Sequence, residues 1–142
     1  MFVIDTNVAS ELMRREPIPS VAAWIAERDA EEMYLTAVSE AELRYGVAIM
    51  HAGRRRNALE AAMNRWLDQG FAERILPFDS AAARAYAEIA ADRRHAGRLI
   101  GEADCQIAAI SRSRGAVLVT RNVRDFEGTR VDIINPWSAG PS

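Results

Sequence analysis

Lysine is missing from this chain: all 18 basic residues among its 142 are arginine. That excludes Schiff-base chemistry on a lysine, a phosphate-loop lysine, and the lysine that accompanies a phosphorylated Asp in receiver domains. Genome base composition is the plainer explanation of the bias. Cysteine is almost as scarce, and Cys105 alone can form neither an internal disulfide nor a thiolate-rich zinc site. It fits a reducing compartment and reads as a small buried hydrophobe rather than a nucleophile. His51 and His95 lack the spacing of metal ligands, so both are read as surface or loop residues. Long apolar runs are absent too, and no basic-then-apolar leader opens the chain. A cytoplasmic protein with no membrane partner is expected.

What remains is an ordinary globular composition, 49% hydrophobic and 27% charged, enough for one domain with its own core. The formal net charge of -2 does not exclude a nucleic-acid partner, because arginine suits phosphate through its bidentate fork.

Apolar spacing alternates between short extended pieces and helical stretches. Strands are predicted at Phe2–Ile4, Met33–Leu35, Ile75–Leu76, Ala116–Val119 and Val131–Ile134. Helices are predicted from Thr6 to about Arg14, Ser20 to Arg28, Ser39 onward, Arg54 to Gln69 (ended by Gly70), Ala81 to Arg94 (capped by Asp79), and Gly101 to Arg114 (stopped by Gly115). This alternation implies one α/β domain, a three-layer sandwich around a mostly parallel sheet, over residues 1–136. Residues 137–142 are expected to be a flexible tail.

The carboxyl edge of such a sheet would collect Asp5, the loop after Leu35, and Thr120–Asn122. Each acid near it has two readings. Asp5 closes a buried strand, yet Asp also caps helices well. Ser39-Glu40-Ala41-Glu42 fits a capping box, yet a helix leaving the crevice could aim Glu42 at a cation. Asp104 lies in a first helical turn, where acids are favoured electrostatically, and Glu102 two residues away points elsewhere. Oxygen-only ligands without imidazole or thiolate favour a hard ion, Mg²⁺ or Mn²⁺, over zinc. Such an ion would relieve the mutual repulsion of crowded carboxylates and acidify a bound water.

Taken in order, Phe2-Val3-Ile4-Asp5-Thr6-Asn7, Ala41-Glu42-Leu43-Arg44-Tyr45-Gly46, Ala103-Asp104-Cys105-Gln106-Ile107-Ala108-Ala109 and Leu118-Val119-Thr120-Arg121-Asn122-Val123-Arg124-Asp125-Phe126 resemble a PIN-domain ribonuclease. Within that superfamily the chain is similar to the VapC and FitB toxins of toxin-antitoxin pairs. The likeness covers residue 1 to about residue 136. It implies a PIN-like α/β/α fold and an endoribonuclease dependent on Mg²⁺ or Mn²⁺. Asp5 and Asp104 take the places of the principal metal-binding carboxylates, and Glu42 that of the acid completing the pocket. The fourth acidic place falls at Asn122, a departure from the many relatives with Asp, and a neutral amide attracts a cation less than a carboxylate does. Asp125 falls in the family's short turn with Phe126.

Thr6 is expected to orient Asp5 or a metal-bound water through its hydroxyl. Asn7 could equally be a helix-start residue. Arg121 and Arg124 beside the crevice, and Arg54-Arg55-Arg56 on the long helix, are candidates for RNA phosphate. The triple reads equally as a solvated face pairing with Glu60. The resemblance further implies a homodimer, higher-order assembly with a cognate antitoxin whose tail fills an apolar groove, and promoter DNA contacted only through that antitoxin. Leu12, Trp24 and Ile25 fall on helices that would line the groove, or are ordinary core. Two rivals stand beside this reading. A haloacid dehalogenase phosphatase would need an acid where Asn7 stands, and a lysine. A PIN-like protein without activity, surviving as an antitoxin-binding partner, has Asn122 as its motive.

Overall fold

The computed structural model describes residues 1–138. Its strands are β1 (Phe2–Ile4), β2 (Met33–Thr36), β3 (Ile75–Leu76), β4 (Val117–Val119) and β5 (Ile133–Ile134). Its helices are α1 (Thr6–Leu12), α2 (Pro19–Ala26), α3 (Ala37–Ala48), α4 (Arg54–Gly70), α5 (Ser80–His95) and α6 (Glu102–Ser113). The strands pair in the order β3-β2-β1-β4-β5, and every pairing is parallel.

Strand alternation sorts the core into two halves. Val3 and Leu118 face α5 and α6, packing with Ile89, Ile107 and Ile110. Ile4, Leu35 and Val119 face the other way, against Val8, Val21, Trp24, Met63 and Leu67 of α1, α2 and α4. The sheet is therefore covered on both faces, as a parallel sheet requires. Leu118 has no exposed surface, so its truncation to Ala would cost about 3 kcal/mol.

The α6–β4 connection is a Schellman turn. Gly115, at φ 63°, lets its own N–H reach Arg112 O and the Ala116 N–H reach Ser111 O at 3.0 Å. The chain then enters β4 at once, which fixes where that strand ends.

Three expectations need correction. Helix α3 begins at Ala37, not Ser39, and its cap is Thr36, whose Oγ1 accepts from the Ser39 N–H. The capping box proposed at Ser39–Glu42 does not form, because Thr36 at the strand end meets the free amides first. Helix α1 stops at Leu12, short of Arg14, and a short 3₁₀ turn at Ala30–Glu32 was not foreseen, whereas the one at Val123–Phe126 is the turn expected with Asp125 and Phe126. Trp137, assigned to the tail, packs against the α1/α2 side of the core, and the remainder of that tail, residues 139–142, lies outside the described residues. Among the described residues no helix is long and apolar enough to cross a membrane.

Candidate metal centre

The strand order creates the crevice. From β1 the chain winds outward through β2 and β3, then returns to β4 on the other side, so the loops leaving β1 and β4 diverge. The first carries Asp5 and the second Thr120–Asn122.

Asp5 is 4% exposed and caps α1. Its Oδ1 accepts from the Thr6 N–H at 2.8 Å. Its Oδ2 accepts from Thr120 Oγ1 at 2.7 Å and from Asn7 Nδ2 at 3.1 Å. The two readings of Asp5 are thus compatible: capping uses one oxygen and holds the carboxylate in place. Burial raises its pKa, and the charge of Glu42 adds to the rise, while the bonds from Thr120, Thr6 and Asn7 oppose it.

Glu42 lies past the first turn of α3, exposed, and is linked to Thr6 rather than to a backbone amide. Thr6 Oγ1 stands 2.8 Å from Glu42 Oε1 and 2.9 Å from Ser39 Oγ. An ionised carboxylate only accepts, so Thr6 gives its proton to Glu42 and receives that of Ser39. The expected role of Thr6 is therefore altered: its backbone orients Asp5 and its hydroxyl orients Glu42.

Asp104 sits in the first turn of α6, partly buried, and accepts no hydrogen bond from the described residues. Burial first, then the charges of Asp5, Asp125 and Glu42, push its pKa up to about 6, against a smaller lowering by Arg93. Glu102 is exposed, in line with its pointing elsewhere. Asn122 is exposed, and its N–H, not its amide group, is engaged, donating to Thr120 Oγ1 at 3.0 Å. Arg121 and Arg124 are exposed beside it, as are His51 and His95 elsewhere. Arg54-Arg55-Arg56 opens α4 and makes no ion pair among the described residues.

Sequence reasoning missed two supports. Thr120 ties Asp5 to Asn122, a link signalled only by a hydroxyl two residues before the asparagine. Arg93, 7% exposed, donates to the carbonyls of Arg98, Asp125 and Glu127, joining α5 to the loop before α6 and to the turn after β4. Nothing in its sequence surroundings marks it. Asp125 lies in the foreseen turn, yet its charge bears on Asp104 more than that of Glu42 does.

The donor set is all oxygen, as a hard cation prefers. Among the described residues none of the acids Asp5, Glu42 and Asp104 is within ion-pair distance of an arginine, and only the more distant charge of Arg93 partly offsets their repulsion at Asp104. Glu42 is near enough to raise the pKa of Asp5, and both that of Asp104, but among the described residues no three acidic, His or Cys side chains already stand as a ligand set. A cation would have to draw in Glu42 and Asp104, which are the less constrained members.

This fold and crevice define a class that the comparisons identify: residues 2–131 match the PIN domain, and the chain belongs to that family. Its relatives within the family include VapC ribonuclease Y4jK of Sinorhizobium fredii, 44% identical over 96% of this chain and 98% of that protein. Toxin FitB of Neisseria gonorrhoeae is 38% identical over 96% of this chain and 99% of its own length. The crystal structure of FitAcB from the same organism superposes with a TM-score of 0.91, at 38% identity, over 97% of this chain and 99% of that one. VapBC-5 of Mycobacterium tuberculosis, described as a member of the VapBC family of toxin-antitoxin systems, aligns with a TM-score of 0.70 at 27% identity, covering 94% of this chain and 96% of that one.

Proposed function

We propose that this protein is a metal-dependent endoribonuclease, the toxin of a toxin-antitoxin pair. The observation that carries the reading is the buried, triply hydrogen-bonded Asp5 at the end of β1, close enough to Asp104 for its charge to raise that acid's pKa, with neither acid in an ion pair among the described residues. The names of its relatives, a VapC ribonuclease and a FitB toxin, support the same activity.

Asp5, Asp104 and Glu42 would hold Mg²⁺ or Mn²⁺. When bound, such an ion supplies an acidified water and charge neutralisation at the phosphate. Asp5 contributes a carboxylate whose direction is already set. Glu42, steered by Thr6, contributes an acceptor that can orient water. Asn122 offers an amide in place of a fourth acid, so one cation is favoured over two.

An antitoxin tail would lie in an apolar groove. Leu12 and Ile25 line an apolar cleft of about 390 Å³ with Met33, Trp66 and Phe71. Trp24, also assigned to the groove, is instead core, with Phe2 and Arg28 against its ring. A homodimer, a higher-order toxin-antitoxin assembly, promoter DNA reached through the antitoxin, and a cytoplasmic location accompany this proposal.

The deciding experiment incubates purified protein with RNA and Mg²⁺ or Mn²⁺, beside Asp5→Asn. Cleavage by the parent alone upholds the reading, and equal cleavage by both excludes this site. The second reading, an inactive antitoxin-binding partner, is favoured by Asn122. It predicts no cleavage by either protein with antitoxin binding intact.

A further inference from the structure

We propose that Arg121 and Trp137 form a nucleotide subsite at the rim of the acidic crevice, Trp137 presenting the Arg121 guanidinium to an unpaired base and its phosphate in single-stranded RNA. The proposal rests on the nuclease reading and adds to it a binding platform and a positioning residue.

Two bonds anchor the platform to the centre. The Arg121 N–H donates to Asn7 Oδ1 at 3.3 Å, and Asn7 Nδ2 donates to Asp5 Oδ2 at 3.1 Å. Beyond the backbone, the guanidinium carbon lies 5.3 Å from the centre of the Trp137 ring, within cation–π range. Trp137 is itself held: its N–H donates to Asn135 Oδ1 at 2.9 Å, its ring packs on the core, and β5 is paired to β4 just before it.

Arg121 is apart from the ion-paired arginines, and, unlike Arg124, which is equally unpaired among the described residues, it has an aromatic ring against it. Arg14, Arg44, Arg98 and Arg112 are bound to carboxylates, and Arg93 to carbonyls. The Arg121 side chain bonds to no acceptor among the described residues. A planar cation steadied by a ring on one side, with its N–H groups free, can stack a splayed base on its open face and direct its edge to phosphate. It would also offset the repulsion that the carboxylates exert on an RNA backbone. Lysine would keep the charge and lose the plane.

The test uses the full chain carrying Asp104→Asn, which leaves the Asn7–Asp5 anchor intact, so that RNA is bound and not cut, and a fluorescently labelled unpaired oligoribonucleotide as probe. Relative to that parent, Arg121→Ala should weaken binding about 10-fold or more and lower the salt slope by about one. Arg121→Lys and Trp137→Leu should each weaken it about fivefold, and Trp137→Phe less than about twofold, consistent with the modest worth of one stacked ring. Parent-like affinity in Arg121→Lys overturns the subsite. Should Trp137→Leu fail to fold, Arg121→Lys and Trp137→Phe still decide. Equal affinity for duplex RNA or for single-stranded DNA overturns the substrate class. Cleavage of RNA by the wild-type chain is measured alongside: if it occurs while the variants bind as the parent does, the subsite fails alone, and if it does not occur, the nuclease reading fails and takes the subsite with it.

Discussion

Asp5 and Asp104 face the same crevice from opposite constructions. Asp5 receives three donors from Thr6, Asn7 and Thr120 and is nearly sealed from water, so its charge is solvated by the protein. Asp104 receives none, and the charges around it are mostly of its own sign. One carboxylate is fixed before any cation arrives. The other is held ready by repulsion and will take up a proton or a cation, whichever is present. Rigidity is thus confined to the β1 edge, and adjustment to the α3 and α6 edges.

The largest test of this contrast is activity, where the two acids should behave alike. Asp5→Asn and Asp104→Asn are each expected to reduce RNA cleavage about 1,000-fold, equivalent to roughly 4 kcal/mol of lost charge stabilisation, read on a gel with Mg²⁺ or Mn²⁺. Full activity in Asp104→Asn would remove it from the site.

Stability should then separate the regions. Arg93→Gln breaks the clamp on both segments flanking Asp104 and is expected to lower the unfolding free energy by about 3 kcal/mol in urea titration. Thr120→Val deprives Asp5 of its shortest bond and should cost about 2 kcal/mol by the same measurement. A loss within error would show that Asp5 is not held as described.

Asp104→Asn carries the opposite sign and the smallest magnitude. Its pKa is raised in the folded state, from 3.8 to about 6. The stability it contributes is complete below pH 3.8 and lost as pH rises through about 6. In metal-free buffer at pH 7.5 the Asn variant should therefore be more stable than wild type, by about 1 kcal/mol after allowance for solvent screening, with the gain disappearing below about pH 4. Thermal melts across pH check this. Added Mn²⁺ should raise the melting temperature of wild type and not of the variant, by the linkage of binding to folding.

Much of the fold was legible because periodicity is local. Phe2–Ile4 and Ile75–Leu76 match the structure residue for residue, and Asp79 caps α5 as its position before an alanine-rich run implied. The miss at Ser39 was also local in origin. A Ser-x-x-Glu pattern competes with any hydroxyl just upstream, and Thr36 had been assigned to neither strand nor helix. The short turn around Val123–Phe126 carries no helical period, and only the family likeness marked it. Asp5 and Thr120–Asn122 reach the same edge because strand ends are countable from sequence, whereas Glu42 and Asp104 lie on helices and were assigned by the family likeness. The bonds among them join residues 33 to 115 positions apart, as in Thr6 with Ser39 and Thr120 with Asp5, and no pattern along the chain encodes such pairs.

Composition and order alone settled that a parallel α/β sheet forms and that Asp5, the loop after Leu35 and Thr120–Asn122 meet at its carboxyl edge, since alternating apolar patterns admit few other packings. Folding decided what each acid became. Asp5 was enclosed by donors from β4, Glu42 was turned toward Thr6, Asp104 was left beside like charges, and Arg93 and Trp137 were recruited from distant segments. Burial, hydrogen bonding and electrostatic repulsion act through space, and distances through space exist only once the chain has closed on itself.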